Sequence, residues 1–135
     1  MYIRLRDIIP SDWQTMHRVR AMEVDGRSLA VAALHDVVRH HHDDYRKVMK
    51  VLRLVAGCDR VRNENHVKRG AKWPDIYEIR GGMVRLFFFY TPDLEEIVVC
   101  TNAYWKTKPG RKEQDTAFAI CARFRDLYLR HGAER

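Results

Sequence analysis

Glu78, Arg80 and Arg85 fall within the clearest strand signal of the sequence. Residues 76–80 and 83–90 alternate or run apolar, and Gly81-Gly82 between them can supply the positive φ angles of a two-residue hairpin turn. Such a turn sets Arg80 opposite Met83, Glu78 opposite Arg85 and Ile76 opposite Phe87. Side chains alternate along a strand, so Glu78, Arg80 and Arg85 share one face. Arginine is always charged and can bond in a bidentate fork, which suits it to phosphate. Lys106, Lys108, Arg111 and Lys112 form a second cationic group further along. Together the two groups describe a surface able to hold a phosphodiester and neutralise charge on it.

The elements that must position these residues read as an α+β domain. Ser11 or Asp12, after Pro10, predicts a helix to about Glu23, with Trp13, Met16 and Val19 or Arg20 inward. A turn over 25–28 with Ser28 as N-cap leads into a second helix over 29–41. A third starts near Asp43-Asp44, carries the stripe Tyr45, Val48, Leu52, Val55, and stops at Gly57. Residues 58–74 are polar and aperiodic, a basic loop. The hairpin follows, then a strand over 97–104, a break at 107–110 and a final amphipathic helix over 111–130. That helix carries Ala117, Ile120, Cys121, Phe124, Leu127 and Tyr128 on one face. The expected core joins Ile79, Leu86 and Phe88 to Ile120 and Phe124 beneath this helix. The 135 residues fit a single domain, with a helical part (1–57), the basic loop (58–74), and the sheet with its C-terminal helix (75–135).

Charge narrows the function classes. The chain carries +7 formal charge, concentrated in residues 60–72 and 106–112, so polyanions or acidic proteins are the expected partners. No apolar run approaches the roughly 20 residues of a membrane helix, and the N-terminus mixes charge with apolar residues unlike a signal peptide. A cytoplasmic protein without membrane association is expected. Cys58, Cys100 and Cys121 are too widely spaced for a metal motif and read as buried structural thiols. His35 and the run His40-His41-His42 lack ligand spacing, because successive helical residues point about 100° apart. No nucleophile elbow and no glycine-rich phosphate loop is present, and no metal or other cofactor is expected.

Residues 76–90 resemble the hairpin of the RelE/HigB-like toxins, in the phage-derived branch of the RelE/ParE superfamily. Residues 97–109, Ile-Val-Val-Cys-Thr-Asn-Ala-Tyr-Trp-Lys-Thr-Lys-Pro, are similar to that family's third strand and lysine passage. The resemblance covers roughly residues 73–130. Tyr104 stands where the family has Phe, Lys106 matches its first lysine, Thr107 replaces the second, and Lys108 comes one residue late. The resemblance implies a RelE-like domain and a ribosome-dependent, metal-free mRNA endonuclease, the toxin of a toxin–antitoxin pair. Its partners would be mRNA on the ribosome and a cognate helix-turn-helix antitoxin, with which it could form oligomers. Arg80, Arg85 and Lys106 would stabilise phosphate, Glu78 or Tyr104 would handle protons, and Lys108, Arg111 and Lys112 would bind RNA. The alternative is a non-catalytic module of RelE-like fold that binds RNA or protein, as in a phage or host-takeover interaction protein.

Overall fold

The computed structural model describes residues 1–107 and 109–134, and it is α+β. The elements are β1 (Ile3–Asp7), β2 (Val19–Val24), α1 (Leu29–His40), α2 (His42–Gly57), β3 (Val67–Arg69), β4 (Tyr77–Gly81), β5 (Val84–Tyr90), β6 (Val98–Trp105) and α3 (Lys112–His131). They build one six-stranded sheet in the order β1-β2-β6-β5-β4-β3, antiparallel except for the parallel pair β2–β6. Among the described residues no helix is long and apolar enough to cross a membrane.

The helix expected over 12–23 is not there, and the chain opens with two strands. Trp13 N donates to Pro10 O at 3.2 Å, so the cap-like residues Ser11 and Asp12 sit in a turn. Val19 and Ala21 face one side of the sheet and Met22 the other, all buried. A segment buried on both faces loses the alternation that identifies a strand, and pairing with β1 and β6 overrides its helical pattern.

The next two helices follow the sequence reading. Ser28 caps α1, accepting from Val31 N at 3.2 Å. His41 separates α1 from α2 with φ −140°, and its ring stacks on Trp105 at 3.8 Å. The α2 stripe Val48, Leu52, Val55 is fully buried, with Tyr45 packed partly against it. The segment read as an unbroken basic loop contains β3, which extends the sheet beside β4.

Two apolar layers flank the sheet. Ile79, Leu86 and Phe88 pack with Val48, Leu52 and Val55 beneath α1 and α2. Phe87, Phe89 and Val99 on the other face pack with Ala117, Phe118, Cys121 and Tyr128 of α3. The expected joining of Phe88, Leu86 and Ile79 with Ile120 and Phe124 is therefore corrected. The charged side of the hairpin, read as open sheet surface, is the side that α3 covers, and α3 itself ends at Gly132 as expected. Of the cysteines, Cys100 and Cys121 are buried, whereas Cys58 is half-buried and donates to Leu54 O at 3.2 Å. Burial raises both enclosed thiols, Cys121 to about 12, so neither supplies a thiolate at neutral pH.

Arg60, which opens the basic segment 60–72, is engaged within the fold. Its guanidinium meets Glu96 through two bonds of 2.7 and 3.0 Å and lies 3.7 Å over the Tyr90 ring. The hydrogen bond from Arg60 holds the Glu96 carboxyl below the ordinary glutamate range. A depressed folded-state pKa contributes stability above the unfolded value and loses it as pH falls through the folded one. Glu96 is partly solvated, so the pair is worth at most about 1 kcal/mol after screening. Thermal melting between about pH 5 and pH 3 should therefore fall more steeply for the native protein than for Glu96→Gln. Parallel curves would show that the pairing contributes nothing measurable.

Candidate active site

The hairpin register differs from the expected one by two residues. Arg80 pairs with Arg85, Gly81 with Val84 and Glu78 with Phe87, so the turn residues are Gly82 and Met83. The cause is tertiary. A Cβ on Gly81 would come within 2.3 Å of the Val48 backbone, so this glycine closes the ladder where β4 crosses α2. Gly82, at φ +56°, makes the turn itself. A shift of two preserves which side chains share a face. Glu78, Arg80 and Arg85 do converge.

Their environment is more enclosed than a sheet surface. Glu78 is 0% exposed. Its Oε1 accepts from Arg80 Nε at 2.7 Å and lies 3.5 Å from Arg85 Nε, while Oε2 accepts from Gln114 Nε2 at 2.7 Å. Arg85, with a side chain 13% exposed, donates from one terminal nitrogen to Gly82 O and Val84 O at 2.9 and 3.0 Å. Its guanidinium is folded against the turn and not projected outward. Burial lowers its hold on the proton, with Glu78 opposing, and the group remains a cation at neutral pH. Arg80 meets Glu78 through Nε, and its side chain is 30% exposed.

Like charges directly opposite across a ladder repel. Here the enclosed Glu78 carboxylate serves both guanidiniums, and Asp44 adds a further negative charge near Arg85. Paired guanidiniums held in this way can bond a phosphate oxygen. Tyr104 of β6 pairs with Arg85 and stacks on Phe87 at 6.0 Å. Burial, with Glu78 nearby, raises its phenol to about 12, so it keeps its proton at neutral pH and can serve as a donor. Lys106 follows the end of β6, half-buried, its backbone N bonded to Met83 O at 2.6 Å beside the hairpin turn.

Arg111 and Lys112 are exposed at the start of α3, and Lys108 lies outside the described residues. The structure thus gathers Glu78, Arg80, Arg85 and Tyr104, brings the Lys106 backbone to the hairpin turn beside them, and leaves Arg111 and Lys112 exposed at the start of α3. Gln114 was missed by sequence reasoning. Its only sequence signal is a polar residue in the first turn of the last helix, and that helix had been placed on the opposite face.

A second polar cluster lies by Tyr90, at the end of β5 away from the hairpin turn. His17, Asp59 and Glu96 each offer a ligand atom within 4.8 Å of the others. The donors are already committed: Arg60 holds both Glu96 oxygens, and the His17 nitrogens face Glu96 O and Asp59 O at 3.1 and 3.2 Å. A guanidinium beside the same carboxylate also opposes a metal cation. The cluster reads as a structural network joining His17, the Asp59-Arg60 pair after α2, and Glu96 before β6.

No family model and no curated protein matches the chain.

Proposed function

We propose that this protein is a metal-free, ribosome-dependent mRNA endonuclease, the toxin of a toxin–antitoxin pair of the RelE/HigB-like kind. The observation that carries the reading is the cross-strand pair Arg80–Arg85 held by one enclosed carboxylate, with Tyr104 and Lys106 beside it. In the reaction, the RNA 2′-hydroxyl passes its proton to solvent water and attacks the adjacent phosphorus. The bond to the 5′-oxygen breaks, and that oxygen takes a proton, leaving a cyclic phosphate and a 5′-hydroxyl. Arg80 and Arg85 would stabilise the phosphorane charge, Lys106 would add to that field, and Tyr104 would donate to the leaving oxygen. Glu78, with both oxygens engaged and no solvent access, fits a positioning group that fixes the guanidiniums better than it fits a base.

The partners in this reading are mRNA on the ribosome and a helix-turn-helix antitoxin, and the compartment is the cytoplasm. That same enclosure of Glu78 favours the second reading, a non-catalytic RelE-fold module binding RNA or protein, because the carboxylate at the centre of the cluster is not free to act as a general base. Induction in a growing bacterium separates the two. The endonuclease should arrest growth and produce new mRNA 5′ ends within translated frames. The Arg80→Ala/Arg85→Ala variant at equal level should do neither. Arrest without new ends, or arrest undiminished by the double substitution, would overturn the assignment.

A further inference from the structure

The two basic segments, far apart in sequence, meet in space. Lys68, Arg69 and Lys72 from the segment around β3 and Arg111 from the start of α3 line one cleft of about 250 Å³, completed by Ala71, Trp73, Gln114, Asp115 and Phe118. Four cations face one carboxylate there. Arg69 is tethered through Nε to Pro74 O. Trp73 is half-buried and stacks parallel to Phe118 at 5.9 Å, which fixes the indole as one wall.

This cleft joins the arginine cluster directly. Lys68 is the β-ladder partner of Glu78, so it sits beside that carboxylate on the α3 side of the sheet. Gln114 lines the cleft and also donates to Glu78 Oε2. Positive charge therefore continues from Arg85 and Arg80, across the Glu78 carboxylate, to Lys68 and on to Lys72 and Arg111.

We infer that this cleft is a binding site for the phosphodiester backbone of single-stranded RNA adjoining the arginine cluster. The inference rests on the ribonuclease reading for the identity of its ligand, and deepens it by assigning a role to the basic segment that the family resemblance does not reach. Three features suit a single strand. Four cations line one cleft, a density of positive charge that suits a phosphodiester backbone. The fixed Trp73 ring offers a stacking wall that tolerates any base. The cleft is too small for a duplex and too charged for an apolar ligand. An acidic protein segment would use the charges but not the aromatic wall.

The test uses the full protein and a short fluorescein-labelled oligouridylate, followed by anisotropy over a range of salt. Lys68, Lys72 and Arg111 are exposed or half-exposed, so the Lys68→Ala/Lys72→Ala/Arg111→Ala variant should fold, and its melting temperature is measured alongside. Expected are about tenfold or greater weakening of RNA binding and a salt slope shallower by about two. The charge-conserving variant Lys68→Arg/Lys72→Arg/Arg111→Lys should bind as the native protein does. Equal affinity of native and triple-alanine proteins for RNA would overturn the cleft, whatever the cleavage assay shows. Preference for a polyglutamate peptide over the oligouridylate would overturn it in favour of an acidic protein partner. Charge-dependent RNA binding by a protein that cuts no mRNA would support the cleft while removing the endonuclease reading.

Discussion

Arg85→Ala is expected, on the endonuclease activity proposed above, to slow mRNA cleavage on translating ribosomes by roughly 10²–10³-fold, the loss of about 2–4 kcal/mol of transition-state stabilisation. The size follows from the setting. Arg85 is largely buried, fixed by Glu78 on one side and by the Gly82 and Val84 carbonyls on the other, so it needs no reorganisation when charge develops. Ribosome binding, in that proposal, would draw on many other cations, so the loss should fall on turnover at saturating ribosomes and not on affinity. Lys106→Ala should slow turnover less, and Lys112→Ala should weaken binding in a salt-dependent way. Removing Arg85 also takes a partner from an enclosed carboxylate, so a melting curve must show that the variant is folded at the assay temperature. A folded Arg85→Ala protein that cuts at a rate within about threefold of native would sink the role given to this residue.

Legibility of the sequence varied with how local the cause was. The hairpin was readable because period-two alternation and a glycine pair are local signals. Its charged face was readable because a register error of two leaves the faces unchanged. The register itself was not, because Gly81 is placed by the backbone of Val48, about thirty residues away. Burial of Glu78 was also hidden. It depends on α3 covering the hairpin's charged side, and the apolar Ile79, Leu86 and Phe88 gave the opposite side an equal claim to that helix. The strands β1 and β2 were obscured by the capping chemistry of Pro10, Ser11 and Asp12, which serves a turn as readily as a helix start. Lys68 could not be set beside Glu78 while residues 58–74 showed no period.

Phe88→Ala should cost about 3–5 kcal/mol, lowering the melting temperature by on the order of 10–20 °C. Phe88 is fully buried, with Tyr77 and Tyr90 rings at 5.4 and 5.3 Å and Cys100 opposite it on β6. It sits in the layer that α1 and α2 close over the sheet, where truncation leaves a cavity that two helices and a strand must collapse to fill. Such a loss is a large share of the roughly 5–15 kcal/mol that holds a domain of this size together. The layer assignment makes a sharper demand on pairs. Ile120, half-buried on α3, lies across the sheet from Phe88, so Ile120→Ala should cost far less and add to Phe88→Ala within about 0.5 kcal/mol. Residues packed together in one core would instead couple by about 0.5–3 kcal/mol. Coupling of that size between Phe88 and Ile120 in denaturant titrations would put Phe88 under α3 and break the two-layer arrangement on which the enclosure of Glu78 depends.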